Sequence, residues 1–474
     1  MSGPISLEPG GAEQDTLALR LAGTRPPRPP RRRPRWALDD TTLAIRLPGT
    51  GPDEEAVSAL AAELADRIGP AVHPYEVAAL LEAEGLPGSV IKERYGHPDL
   101  FSLAAALYER VPRTFPDPPP AADPWRPDTV RCLLRGVLFA LPGLAYLLTA
   151  PLWDAGRHTA VLVVAGLVSW AWGQALGHRA HLRRATGPRE AGRTLLVGAP
   201  LGAVIATAAA ALPAGGGPVT LVAAAQSAYL AAAGVLLVLG RERLLAAALA
   251  PLVAGAAVLP WADPGPWPRA GLPLLALLAV LAVTGHALRA SLAAPAVPGA
   301  GRPPVLRSLP YGLFGLAAGV LVLLAGEREP YAVIVLTVSM GPAEWLLYRY
   351  RGLSVAALRA AVTPAGFRLR SAGVLGLCLT AYLLPLLPAA LLTGAEPAVV
   401  LPLAAALWTA LLLQAFGAAW PSAAICLTAA GGAGAVVLLH LPPGPAVLPL
   451  GCGAAALCLT ACALRLLGRP SAHA

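Results

Sequence analysis

The sequence predicts an all-α polytopic membrane protein: twelve transmembrane helices in two parallel six-helix repeats, behind a small N-terminal cytoplasmic helical domain. Three observations predict it. Of 474 residues 56% are hydrophobic and only 13% charged, about half the charged fraction of a soluble domain, and the mean hydropathy is +0.61. Charge is also segregated: residues 1–129 hold 19 of the 27 acids, and the other 345 positions hold eight. A charge at the centre of a spanning helix costs about 2.5–3.5 kcal/mol on the insertion scale, so the boundary of the membrane region falls near Arg131. Finally, apolar runs of spanning length recur from residue 130 onward, separated by short punctuated loops. This composition excludes a soluble enzyme across the whole chain. Lys92 is the only lysine, which excludes a catalytic or phosphate-loop lysine inside the membrane region.

Residues 1–52 form an Arg/Pro-rich arm, expected to be disordered because it lacks apolar residues to bury. No apolar signal core precedes Arg25-Pro-Pro-Arg-Pro-Pro-Arg-Arg-Arg-Pro-Arg35, so the N-terminus is expected to stay in the cytoplasm. Six arginines in that stretch suit anionic lipid. A plain solvated arm is the alternative, and nucleic acid is not expected because no aromatic residues interleave the charge for base stacking.

Residues 53–113 read as the small acidic helical domain. Asp53-Glu-Glu opens a period of Val57, Leu60, Leu64 and Ile68, with acids at the helix start where the dipole favours them. Further helices follow from Pro74 to Gly85, around Val90–Arg94, and from Pro98 through Leu100, Leu103, Leu107 and Val111. The stretch Val77–Arg94 superficially resembles a helix-turn-helix, but Leu81 stands where a small residue is needed and the domain is acidic where a DNA reader is basic. A Pro-rich linker, 114–129, leads into the membrane.

The expected spans are 132–152, 159–178, 194–213, 218–239, 244–260 and 271–289 in a first repeat of 130–290. A cytoplasmic linker follows at 291–305. The second repeat, 306–468, holds spans 308–326, 331–348, 371–392, 397–416, 421–440 and 446–466, and 469–474 is a cytoplasmic tail. Of the 22 arginines after residue 129, all but Arg157, Arg269 and Arg328 fall on inner loops and helix ends. The positive-inside rule therefore places both termini in the cytoplasm, in a cell membrane. Arg179, Arg183, Arg184, Arg349 and Arg351 are candidate membrane-surface basic residues.

The repeat is read from three matches at nearly one offset. Leu134-Arg135 with Phe139, Leu141 and Gly143-Leu-Ala matches Leu306-Arg307 with Tyr311, Leu313 and Gly315-Leu-Ala. Val168-Ser169 with Gln174, Leu176 and Arg179 matches Val338-Ser339 with Glu344, Leu346 and Arg349. Thr284-Gly-His-Ala-Leu-Arg289 matches Thr460-Ala-Cys-Ala-Leu-Arg465. Six spans return the chain to its starting side, so such repeats are parallel and related by an axis along the membrane normal.

This plan resembles two transporter groups, the major facilitators and the multidrug/oligosaccharidyl-lipid/polysaccharide flippases. The facilitator loop between spans two and three carries an Asp, whereas Gly177-His-Arg-Ala-His-Leu-Arg-Arg-Ala-Thr-Gly-Pro-Arg does not. The flippase resemblance covers 130–468 at the level of repeat and topology. It implies transport of an amphipathic lipid-linked or polysaccharide-related substrate. Because every membrane arginine lies near a helix end, a strongly anionic substrate is not expected. The alternative is a non-transporting membrane scaffold that recruits a protein partner through 53–113.

Few residues could carry chemistry. Glu344 is the only acid within a span, and Gln174 is its repeat mate. Helical spacing puts Gln174 and His178 on one stripe, and Glu344 and Tyr348 on another. Together with Ser169 and Ser339 they make a candidate polar cleft in which Glu344 could carry a coupling proton. The other reading has Glu344 satisfied by a nearby arginine or Tyr hydroxyl, fixing helix packing beside a kink at Gly341-Pro342. His286, Gln226 and Gln414 are read as interhelical hydrogen-bonding residues. The six cysteines read as packing residues, and no metal or other cofactor is expected. No phosphate-binding, zinc-hydrolase or serine-nucleophile motif is present, so no catalysis is expected.

Overall fold

The computed structural model describes residues 52–112, 126–153, 155–214, 217–297, 303–442 and 444–473. The Arg/Pro arm expected over 1–52 lies outside these residues but for Pro52, as do most of the Pro-rich linker and part of the 291–305 linker. The described residues fall into two compact units, a helical one within 21–123 and a helical bundle from 124 onward. Among them every regular element is helical.

The N-terminal unit contains α1 (Pro52–Glu63), α2 (Ala65–Ile68), α3 (Pro74–Ala83), α4 (Gly88–Tyr95) and α5 (Leu100–Arg110). Local chemistry sets these limits. Pro74 is the first residue of α3, where its missing N–H costs nothing, and the His73 ring accepts from the Tyr75 amide. Asp99 and Ser102 form a reciprocal capping box on α5. Gly96 ends α4 at φ +67°, a conformation that a side chain would strain. The stripe Val57, Leu60, Leu64 and Ile68 is buried against Val77, Leu81, Leu103 and Leu107. Arg110 joins Glu54 at 3.2 Å across α5 and α1, and Arg67 pairs with Glu84. Both pairs are exposed, so the apolar core supplies most of the stability.

The bundle runs α6 (Thr129–Ala140), α7 (Gly143–Thr149), α8 (Ala155–Arg184), α9 (Pro188–Ala214), α10 (Pro218–Val238), α11 (Glu242–Ala248), α12 (Ala250–Val258) and α13 (Pro266–Leu292). It continues with α14 (Leu309–Arg328), α15 (Pro330–Val338), α16 (Met340–Ala360), α17 (Pro364–Thr393), α18 (Pro397–Ala415), α19 (Ala419–Leu438) and α20 (Val447–Leu467). Ten described spans, counting α6 and α7 as one, are long and apolar enough to cross a membrane, and α15 with α16 makes eleven. The chain is a multi-pass membrane protein. The expected fifth span, 244–260, is two short helices broken at Leu249, just before Pro251, and neither reaches spanning length. A proline there removes one backbone donor and crowds the preceding turn.

The α15–α16 pair bends by 41° at Ser339. Pro342 explains the bend, because its ring opposes the carbonyl of Val338 and it donates no hydrogen bond to it. Pro200, Pro273, Pro385, Pro388 and Pro402 lie inside continuous helices. The helix most enclosed by protein is α18, whose most apolar window is 72% buried. Trp408 on α18 donates to the Ala343 carbonyl at 3.2 Å, tying it to α16.

Small residues set where the helices cross. A Cβ on Gly136 of α6 would lie 2.9 Å from the Gly341 nitrogen of α16, and one on Gly341 would lie 2.8 Å from the Cys132 oxygen. On α14, Gly312 and Gly315 face Ala171, Gln174 and Ala175 of α8 just as closely. Backbones in direct contact gain packing that lipid cannot supply, the usual logic of helix association in a bilayer.

Candidate functional site

The crossing of α6 with α16 carries the largest buried group of charges. Arg135 is 9% exposed and projects from the second turn of α6. Its Nη1 donates to Glu344 at 2.5 Å, while its Nε and Nη2 donate to Glu242 at 2.9 and 2.6 Å. Nη2 also reaches the Leu237 carbonyl at 3.4 Å. Arg131, one turn earlier and half exposed, donates from Nε to Glu242 at 2.8 Å. Two arginines and two carboxylates thus close a neutral group. Charges out of water are tolerated only when paired and hydrogen-bonded in this way. Glu242 lies outside the spans, at the start of α11. Burial pushes its carboxyl up, but its backbone hydrogen bond and the two arginines outweigh burial and hold it below the usual carboxylate range.

The sequence-derived candidates are distributed over several contacts. Glu344 meets Arg135 rather than Arg349, the arginine nearest in sequence. Arg349 lies 5.6 Å from the centre of the Trp345 ring, and Arg351 is buried over Phe416 at 4.7 Å. Tyr348 is half-buried on the same helix. The Ser339 hydroxyl, at the bend, is 2.7 Å from the Leu336 carbonyl and 3.0 Å from the Tyr382 hydroxyl. On α8, Gln174 is buried beside Gly315. The His178 ring stacks on Tyr311 at 3.7 Å, and its Nδ1 lies 3.0 Å from the Ser308 hydroxyl. Arg179 donates to the Pro303 carbonyl at 3.2 Å, Arg184 donates to the Val238 carbonyl at 3.0 Å, and Arg183 pairs with Glu190.

Ser169 is placed apart from these groups. It lines a small cavity between α8, α9 and α10 with Ser227, Trp172, Ala199 and Gly202. The hydroxyls of both serines are buried without a hydrogen-bond partner. The Trp172 indole donates to the Gly198 carbonyl at 2.8 Å and forms one wall. Of the other polar residues, the Gln226 side chain donates to the Leu162 carbonyl at 3.1 Å; at Gln414 it is the main-chain carbonyl that accepts from Tyr311 at 3.3 Å, and the side-chain Nε2 is buried without a partner. Cys132, Cys378, Cys426 and Cys452 are buried.

Sequence patterning does not single out Arg135 or Glu242 as site residues, although Arg135 belongs to the repeat match. A usable signal was present. Gly136 adjoins Arg135 and Gly341 lies one turn before Glu344, so a close glycine crossing would bring the two charges together.

No protein-family model matches the chain, and no curated protein matches it. Among solved structures it is similar to one described as "Crystal structure of MATE in the bent conformation", at 16% identity and a TM-score of 0.35, over 72% of this chain and 92% of that one.

Proposed function

We propose that the protein is a two-half transporter, flippase-like, moving an amphipathic lipid-linked or polysaccharide-related substrate across the cell membrane, with both termini cytoplasmic. In this reading residues 244–260, from α11 and α12, form the fifth of twelve passes, and 130–290 and 306–468 are the parallel halves. Exchanging the halves turns the α6–α16 crossing into the α14–α8 crossing, and both crossings are present. That reciprocity supports the reading.

The observation that carries the mechanism is the placement of the Arg135–Glu344 bond. Arg131, Arg135 and Glu242 all belong to the first half, whereas Glu344 belongs to the second. The Thr129 hydroxyl, just before the first half, also accepts from the Trp345 indole at 3.2 Å; at the other crossing His178–Ser308 links the halves, beside the Arg179 bond to Pro303 in the 291–305 linker. All four contacts sit at the helix ends that the arginine distribution assigns to the cytoplasm, so they act as a cytoplasmic latch. A proton on Glu344 would release its charged bond to Arg135 between the halves, while Arg135 would keep Glu242. No buried cation would be stranded, which makes Glu344 suitable for coupling to a proton gradient.

The test uses proteoliposomes loaded with a fluorescent isoprenoid-linked sugar and an impermeant quencher. Wild-type protein should move the probe across the bilayer at a rate that responds to an imposed pH gradient. Glu344→Gln, stably folded, should move it without that response or not at all. No movement by wild type beyond empty liposomes would overturn the flippase reading, and an unaltered pH response in Glu344→Gln would overturn the coupling role.

A further inference from the structure

The hydroxyls of Ser169 on α8 and Ser227 on α10 have no hydrogen-bond partner, although Ser169 is only 6% exposed and Ser227 is fully buried. In a spanning helix a serine or threonine ordinarily meets this need from its own backbone, by bonding the carbonyl one turn back. Thr207 on α9 does so at 2.8 Å to Ala203, and Ser291 on α13 at 3.2 Å to Ala287. Ser169 and Ser227 do neither that nor bond across to a facing helix. A hydroxyl left unpaired away from water lowers stability, so two that line the same cavity call for a common explanation.

The cavity supplies one. About 20 Å³ of it admits the centre of a water molecule, and one water needs roughly 10–15 Å³ on that measure. One wall is the Trp172 ring, fixed by its indole bond to the Gly198 carbonyl and lying so close over Gly202 that a Cβ there would collide with it. Gly234 leaves space on the α10 side, where a Cβ would meet nothing within 4 Å. Along α8 and α10 the cavity is preceded by the apolar cluster of Val161, Ala165 and Ala223, and at its other end Ala180, Leu195 and Val235 pack together.

The chemistry of the lining selects the occupant. It must be small, it must both donate and accept, and it must be uncharged, because among the described residues no ionisable side chain lines the cavity. An acyl chain would satisfy neither hydroxyl, and a metal cation would find two hydroxyls and no carboxylate. We propose that a single buried water bridges Ser169 and Ser227 and so ties α8 to α10 inside the bundle. The direct bond from Gln226 to the Leu162 carbonyl joins the same two helices about two turns earlier along α8, so the pair is linked at two levels. Nothing in this assignment depends on transport.

The experiment is X-ray hydroxyl-radical labelling of the full-length protein in lipid nanodiscs, read by mass spectrometry at Trp172. Water held in the cavity generates radicals on the spot, so Trp172 should be oxidised while Trp408, 1% exposed and bonded to the Ala343 carbonyl, stays unlabelled. Ser169→Ala/Ser227→Ala should abolish the Trp172 signal. Thr207→Ala, which removes a hydroxyl already bonded within its own helix, should leave it unchanged. The serine variants are also compared by reversible unfolding. With a shared water, each single change should raise the unfolded-to-folded ratio roughly two- to tenfold, and the double variant should fall short of the product because the second change removes a bridge already broken. A cavity without water predicts the opposite sign: each alanine then removes an unpaired hydroxyl and stabilises, independently of the other. That result would overturn the proposal. So would a Trp172 labelled no more than Trp408, as in a cavity filled by an acyl chain, or a Trp172 signal that survives in the double variant. Destabilising single changes that simply multiply would give each serine its own partner and overturn the bridge.

Discussion

Removing Arg135 should destabilise the protein more than neutralising Glu344, because the two partners are not equally provided for. Arg135 bonds two carboxylates, Glu242 and Glu344, whereas Glu344 pairs among the described residues with Arg135 alone. Glu344→Gln removes one charge-assisted hydrogen bond and leaves Arg135 held by Glu242, for a cost of about 1.5–3 kcal/mol. Arg135→Met strands Glu344 in a helix crossing where it is 5% exposed, and breaking a buried pair in this way costs about 3–5 kcal/mol. Glu242 is less affected, since Arg131 still reaches it from a half-exposed position. The double variant Arg135→Met/Glu344→Leu replaces the pair by apolar groups and should regain most of the loss, leaving it within about 1 kcal/mol of Glu344→Gln. Reversible unfolding in mixed micelles, on wild type and the three variants, gives the comparison. An Arg135→Met no less stable than Glu344→Gln, or a double variant worse than either single change, would refute the reasoning.

The glycine crossings predict position-specific alanine effects. Gly341→Ala should cost about 1–3 kcal/mol because its Cβ would meet the Cys132 carbonyl, which cannot rotate away. Gly376→Ala, where a Cβ meets nothing within 4 Å, should be neutral or gain up to about 1 kcal/mol of helix propensity in the same unfolding assay. At the C-terminus, His473 packs on Phe367 and Phe416, and its Nε2 bonds the Leu467 carbonyl at 2.8 Å. Burial pushes its pKa below the usual histidine value, the Leu467 bond opposes that, and Arg351 adds to the depression. Between the folded and unfolded pKa values the unfolded tail binds more protons. Docking of the tail is therefore fully stable above about pH 6.5 and weakens as pH falls through the depressed folded value. The protection factors of the amides at 468–472, taken relative to intrinsic exchange at each pH, should fall on acidification in wild type and stay level in His473→Gln. For topology, single cysteines near Arg184 and Arg359 on a cysteine-free background should resist an impermeant thiol reagent in intact cells. Ones near Gly215 and Asp263 should react, and the reverse pattern would invert the assigned orientation.

What the sequence made legible was governed by periodicity and local chemistry. Val57, Leu60, Leu64 and Ile68 recur at helical spacing, and all four are buried. Long apolar runs place the spans, and Pro342 places the bend at Ser339. The fifth span was misjudged in form because apolar content does not reveal a break: Leu249 and Ala250 continue the pattern while Pro251 interrupts the hydrogen bonding. The partner of Glu344 was harder for a different reason. Arg349 is close in sequence, yet it extends along Trp345, and the bonding arginine comes from 209 positions earlier. Sequence spacing ranks neighbours on one helix, whereas the choice of facing helix is made by glycines that let backbones touch. The Ser169–Ser227 cavity has no sequence signature, since serines in helices usually bond to a carbonyl one turn back, as Thr207 and Ser291 do here.

The two crossings between the proposed halves differ in kind, and that difference bears on how they would part. At α6 with α16 the polar link is ionic and can be cancelled by one proton. At α8 with α14 it is a stacked His178–Tyr311 pair with a Ser308 hydroxyl contact, beside Gly312 and Gly315 lying against Ala171 and Ala175. Nothing in that second contact requires a proton to hold, and its close backbone packing resists separation more than rotation. Gln174, the residue the proposed repeat pairs with Glu344, lies there against Gly315 and carries no charge. A motion triggered at Glu344 would therefore open the first crossing while the second stays packed, making α8 and α14 the pivot. Glu344→Gln would weaken the latch without disturbing the pivot, whereas Gly312→Leu would force α8 and α14 apart and leave the Arg135 ion pair intact.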